Sequence, residues 1–255
     1  HPRVNDIMVA VYKNPWISYN VITGTASFVS IGSGITAGGS SLRFSNINDS
    51  LVFMGWDDGT VRYCSNIFAT TPTLTATSAT PGGTSDIFDI ETSFNNENVL
   101  YIAQGTKIYK SINKGASWAN ISSNLPNVTI YSIVLDKNSP EGLYVGTASG
   151  IYYKDSLMTN WIQYNTGLPA FSAVRDLEIV YDTVCSSNSV IYAATYGRGL
   201  WKGDLRVSET QPNPNFTIPA TACTTVPVNI TNTTTSVTNN GATTSYLWTI
   251  TPSAG

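Results

Sequence analysis

The chain has 255 residues, a formal net charge of −3 and a sequence pI near 5.0. Only 11% of its residues are charged and no Lys/Arg run occurs, which excludes the electrostatic footprint of a nucleic-acid binder. The sole histidine is His1, which argues against a Ser-His-Asp triad or a zinc site, and no apolar run reaches the roughly 18–20 residues of a membrane helix.

In chain order, the first apolar segments are IMVAVY, WISYNVI and ASFVSI, all within residues 7–31. Period-two alternation and enrichment in Val, Ile and Tyr predict strands. The pattern then recurs. SLVFMGWDDGTVRY, VLYIAQGTKIYK, GLYVGTASGIYYK and VIYAATYGRGLWK each read as strand, short Gly-containing turn, strand. FDIETSF, YSIVLDK and LEIVYD form a second column of strands running into polar turns. A third column is anchored by Phe28, Leu74, Trp118 and Trp161, spaced 46, 44 and 43 residues apart. Four strands (A to D) per repeat predict the blades of a β-propeller, and the short hairpins inside each repeat favour this over a solenoid or single sandwich.

The first repeat supplies strands B, C and D, and the last, from about Val174 to Leu205, supplies A, B and C. Three complete blades lie between. A closed five-bladed ring is compatible with this count, but a segment of a larger propeller is the preferred expectation. After residue 205, polar and Pro-containing residues 206–213 predict a linker. Residues 214–255 then alternate again (Val226, Val228, Ile230; Tyr246, Trp248, Ile250), which predicts the opening strands of a β-sandwich. Cys64, Cys185 and Cys223 make an odd count, so one is unpaired or pairs outside this segment, and buried or free thiols are favoured over a disulfide framework.

SINKGASW, residues 111–118, resembles the Asp-box of BNR-type propellers, with Asn113 where Asp is usual. Around it, IYKSINKGASWANISSNLP, LYVGTASGIYY and IYAATYGRGLW are similar to blades of secreted bacterial BNR-repeat proteins. That superfamily includes sialidases, xyloglucanase-like glycosidases and sortilin-like receptors. The resemblance spans residues 1–205 and implies an all-β fold, with Ser111, Asn113, Gly115, Ser117 and Trp118 in a structural hairpin away from ligand. The tail resembles a PKD domain through Tyr246-Leu-Trp248, although TPSAG stands where that family has Gly-Asp-Gly. A propeller followed by an Ig-like or PKD sandwich implies a large extracellular or cell-surface bacterial protein, of the kind often exported by the type IX system.

In a propeller the D-to-A and B-to-C loops share one face, where ligands usually bind. Trp56 beside Asp57 and Asp58 suits a sugar, the indole stacking on C–H faces and the carboxylates accepting from hydroxyls. Tyr196 and Arg198 offer a second platform and a donor, and Trp16 and Phe171 sit on loops of the same face. The competing reading of Asp-Asp-Gly is a plain turn, with Trp56 packed between blades. Asp57, Asp58, Asp86 and Asp176 are the candidate carboxylates if the protein is a glycosidase, which needs two about 5–9.5 Å apart. The scattered arginines and missing Arg-Ile-Pro signature argue against a sialidase. Asp49-Ser-Leu, Asp155-Ser-Leu and Asp182-Thr-Val resemble a bacterial O-glycosylation sequence, which marks Ser50, Ser156 and Thr183.

The expectation from sequence is a binding or adhesion module that engages a polysaccharide or a cell-surface protein, with no metal or cofactor. The alternatives are an extracellular, xyloglucanase-like glycoside hydrolase and a scaffold for a catalytic domain elsewhere in the parent chain.

Overall fold

The computed structural model describes residues 1–77, 83–165, 167–182 and 188–206, together with 216–217 and 231–232. The chain divides into two compact units, His1–Leu205 and Arg206–Gly255. In the second, β19 (Phe216–Thr217) pairs antiparallel with β20 (Thr231–Asn232). Residues 207–213 of the predicted linker, Cys185, Cys223, Thr183 and the alternating positions from Val226 to Ile250 lie outside the described residues.

The first unit is built from five antiparallel sheets in the order of the sequence repeats. Blade 1 has β1 (Met8–Val11), β2 (Pro15–Ser18) and β3 (Val29–Ser30). Blade 2 has β4 (Gly39–Phe44), β5 (Val52–Trp56), β6 (Val61–Cys64) and β7 (Thr75–Ala76). Blade 3 has β8 (Ile87–Thr92), β9 (Leu100–Gln104), β10 (Lys107–Ser111) and β11 (Ala119–Asn120). Blade 4 has β12 (Ile130–Asp136), β13 (Gly142–Thr147), β14 (Gly150–Lys154) and β15 (Ile162–Gln163). Blade 5 has β16 (Val174–Val180), β17 (Val190–Thr195) and β18 (Gly199–Asp204). The outermost strands β3, β7, β11 and β15 are two residues each, shorter than the sequence pattern predicts. They are sheet edges flanked by polar residues, and short edge strands limit pairing with other chains.

The core lies in the seams between blades. Leu51, Phe53, Ile90 and Ile102 pack blade 2 on blade 3. Tyr101, Ala103, Ile133, Val145 and Trp161 pack blade 3 on blade 4. Tyr144, Tyr153, Leu177 and Ile191 pack blade 4 on blade 5. Strand β9 shows why its sequence is continuously apolar: Leu100 and Ile102 face one seam while Tyr101 and Ala103 face the other.

The hairpin at SINKGASW joins β10 to β11. Ser111 Oγ accepts from the N–H groups of Asn113 (3.2 Å) and Gly115 (2.8 Å), while Asn113 Oδ1 accepts from Ser117 N–H (2.8 Å). The same turn recurs. Asn20 Oδ1 accepts from Ser27 N–H (3.1 Å) beside Ser18, and Asn66 Oδ1 accepts from Thr73 N–H (2.9 Å) beside Cys64. Cys64 thus stands at the serine position of the turn, buried and free, its Sγ 3.3 Å from Asn66 Oδ1. Gly115 has φ +84°, and a Cβ there would lie 2.5 Å from Thr77 Cγ2 of the preceding blade. Gly115→Ala is therefore expected to destabilise the propeller by about 1–3 kcal/mol, read as a lowered midpoint in urea unfolding. An unchanged midpoint would mean that this hairpin does not brace the seam.

Candidate functional site

The first strand of each of blades 2 to 5 carries a β-bulge at the same register, between Gly39 and Ser41, Ile87 and Asp89, Ile130 and Ser132, and Val174 and Asp176. A bulge inserts one residue that has no ladder partner and re-aims its side chain. The inserted residues are Ser40, Phe88, Tyr131 and Arg175, one in each of blades 2 to 5. Ser40 Oγ–H donates to Ile87 O of the next blade (2.8 Å). Phe88 meets Tyr131 edge-on, ring centroids 5.8 Å apart at 79°. The Arg175 guanidinium lies 3.9 Å from the centroid of Tyr131 and 5.4 Å from that of Tyr196. A stepwise stack therefore crosses the seams from blade 3 to blade 5 on the face bearing the B-to-C and D-to-A loops.

In blades 3 and 4 the residue after the bulge also reaches forward. Asp89 accepts from Ile133 N–H of the next blade through Oδ2 (2.7 Å) and from Ile90 N–H through Oδ1 (2.8 Å). Ser132 Oγ accepts from Leu177 N–H (3.2 Å). Two positions further, the Arg43 guanidinium meets the Glu91 carboxylate across the seam between blades 2 and 3, and Asn46 donates to both Glu91 and Thr92 O. Burial opposes the charge on Arg43, but the Glu91 carboxylate outweighs it and raises the pKa, with Asp89 and Glu178 adding to the effect. Burial pushes the Asp89 carboxyl up to about 7, against the pull of the Ile133 N–H. Burial likewise raises Glu91, against the attraction of Arg43.

Several sequence expectations are corrected here. Trp56 is 0% exposed, sits in the seam with Val52, Met54 and Ile67, and donates its Nε1–H to Lys13 O (2.8 Å). It cannot serve as a sugar platform. The indole ends β5 facing blade 1, and burial with a satisfied N–H is the stable placement for so large an apolar ring. Trp16 lies within β2, paired with Ala10 and Ser30, rather than in a loop, and it is exposed.

Asp57 and Asp58 are exposed, but Asp57 holds the segment that leads into β4 and Asp58 caps its own turn. Asp57 Oδ1 accepts from Gly38 N–H (2.9 Å), and Asp58 Oδ1 accepts from Thr60 N–H (3.0 Å) and Thr60 Oγ1–H (2.7 Å). Asp176 Oδ1 accepts from Leu177 N–H (2.9 Å) and lies 3.5 Å from Ser132 Oγ. Asp86 is exposed at the start of its inner strand. Among the described residues no hydrogen bond joins these four carboxylates. Tyr196 and Phe171 are 74% and 88% exposed, and Phe171 holds φ +56°, a costly conformation for a bulky residue. Arg198 is exposed beyond the Gly197 turn. Tyr196 N–H donates to Ala173 O (2.8 Å), which fixes the B-to-C turn to the loop carrying Phe171.

The structure thus brings together Tyr196, Arg198 and the loop of Phe171 with Arg175, which the sequence places at the start of an inner strand toward the channel, and adds Tyr131, which sequence reasoning did not single out. Of the proposed glycosylation positions, Ser156 is exposed and Ser50 half-buried. Among the described residues no group of three or more His, Cys, Asp or Glu is placed to hold a metal ion. Nor is any helix there long and apolar enough to cross a membrane.

Comparison with solved structures gives matches at 18% and 16% identity. The first is an ancestral GH74 enzyme, with a TM-score of 0.65 over 81% of this chain and 30% of that one. The second is a GH74 enzyme of Niastella koreensis, with a TM-score of 0.59 over 78% of this chain and 28% of that one. The chain shares the β-propeller fold of GH74 enzymes. It spans about three-tenths of the length of either. No family model matches the sequence, and no curated protein matches it.

Proposed function

We propose that this propeller engages a polysaccharide on its inner-strand loop face, as part of an extracellular, glycoside-hydrolase-like protein of the xyloglucanase kind. The observation that carries the reading is the stack from Phe88 to Tyr196, which lays aromatic surface and arginine donors on the ligand-accessible face of a fold shared with GH74 enzymes. Carbohydrate rings present apolar C–H faces to aromatic planes and hydroxyls to charged groups, and both kinds of partner are present. The Asp-box hairpin, the PKD-like tail, type IX export and a cell-surface location are the finer parts of this proposal, and they rest on the sequence resemblance.

A second reading is favoured by the carboxylates. Asp57, Asp58 and Asp176 are each held by local backbone or hydroxyl groups, and Asp89 and Glu91 are buried in seams. Within this chain that supports retention of a glycan without cleavage, as in adhesion or substrate presentation to residues elsewhere.

The test is affinity electrophoresis of the full chain through gels containing xyloglucan, other plant and algal polysaccharides or host glycans, with reducing-end release assayed in parallel. Retardation by at least one polysaccharide is expected. Migration unchanged by all of them would end the glycan reading and turn attention to protein partners. Release of reducing ends that is lost in Asp86→Asn would show that this segment is itself catalytic.

A further inference from the structure

We propose that the blade 5 corner of this face is a subsite for an acidic sugar, a pyranose bearing a carboxylate or sulfate, with Arg175 as the anion-binding group. The inference rests on the polysaccharide reading above and names the class of polysaccharide.

Arg175 occupies the bulge register that holds Ser40, Phe88 and Tyr131 in the preceding blades. If the register served only to fill the seam, another aromatic would do so, as Phe88 against Tyr131 does. Arginine instead lays a planar cation on Tyr131, with the Tyr196 ring nearby, which restrains the guanidinium while leaving its N–H groups at the edge. Those N–H groups have no protein acceptor and no ion pair among the described residues. The carboxylate next in sequence, Asp176, is engaged by Leu177 N–H. A pre-oriented guanidinium with open donors is built for a two-oxygen anion, which it can take bidentately.

The surroundings match a charged sugar better than a free ion. Tyr196 and Phe171 expose most of their rings beside the cation, supplying surface for C–H stacking. Arg198, two residues past Tyr196, adds a second exposed cation on the same turn. The chain as a whole is acidic, with a net charge of −3, so this local pairing of arginines does not follow from bulk composition.

The test measures affinity of the full chain for matched pairs of polymers: polygalacturonate against its methyl ester, and a sulfated galactan against its desulfated form, with xyloglucan as the neutral reference. Binding to the charged member of one pair, and weaker binding to its neutral counterpart, is expected. Which pair discriminates identifies carboxylate or sulfate. Arg175→Met should weaken that binding about ten- to a hundredfold, as expected for loss of a charge-assisted hydrogen bond, whereas Arg175→Lys should retain part of it. Lys202→Met, which removes an exposed cation elsewhere on blade 5, should leave it unchanged. Should Arg175→Met prove unstable, Arg175→Lys and Arg198→Met carry the comparison. Equal binding of charged and neutral polymers, or equal losses in Arg175→Met and Lys202→Met, would overturn the acidic-sugar subsite and leave the polysaccharide reading standing. Failure to bind any polymer would instead defeat the polysaccharide reading itself.

Discussion

Replacing Trp56 with alanine is expected to cost about 3–5 kcal/mol of stability, the range for removing a large aromatic from a packed core. The indole is wholly buried in the seam between blades 1 and 2, and its Nε1–H is held by Lys13 O. Alanine would leave a cavity beside Met54 and Ile67 and strand that carbonyl. For a unit of this size, about 1 kcal/mol shifts the melting temperature by roughly 2–4 °C, so a fall of about 6–20 °C should appear in a thermal melt. Glycan retention measured well below that transition should be unchanged, because Trp56 has no surface to offer a ligand. Lost retention in a variant with an unshifted melt would show the reverse, that Trp56 reads the ligand and does not brace the seam.

The second large effect is a dependence of stability on pH. The Asp89 carboxyl titrates near 7 in the fold because burial disfavours its charge, and near 3.9 in an unfolded chain. Between those values the folded state holds the extra proton, so stability falls as pH rises across that window. The contribution is fully present below about pH 4 and lost as the pH passes through 7, a span worth on the order of 2–4 kcal/mol. Glu91, raised by burial against the attraction of Arg43, acts in the same direction. Melting temperatures taken from pH 5 to pH 8 should therefore decline, and Asp89→Asn should flatten the decline while keeping an acceptor for Ile133 N–H. A wild-type curve that rises over this range, or one unaffected by Asp89→Asn, would show that Asp89 is solvated and ionised in the fold.

The blades were legible in the sequence because each middle strand is apolar on both faces, and because Phe28, Leu74, Trp118 and Trp161 recur at near-constant spacing. The loop face was legible only in outline. Trp56 follows an apolar strand and precedes Asp-Asp-Gly, so one-dimensional context cannot say whether the ring turns into the seam or out of it. The bulges were harder still. An inserted residue breaks the alternation that identifies a strand, so Phe88 and Tyr131 read as strand positions of either face. Stacking SSLRF, FDIET, YSIVL and RDLEI in register exposes the column, but only once the extra residue is known to be structural. The recurrent turn was within reach: Ser18-Tyr-Asn20, Cys64-Ser-Asn66 and Ser111-Ile-Asn113 differ at the first position only by sulfur for oxygen.

The four bulges share a backbone, yet their inserted side chains are a hydroxyl, a phenyl, a phenol and a guanidinium. Their duties differ: Ser40 ties its blade to Ile87 O of the next, Phe88 packs against the core between blades 3 and 4, and Arg175 lies exposed over Tyr131. The inner wall is therefore a fixed frame in which some inserted side chains brace a seam and another faces outward. If the proposed sugar site is correct, a substitution at Arg175 would change what the face binds with little effect on folding, so propellers sharing these bulges need not share a ligand.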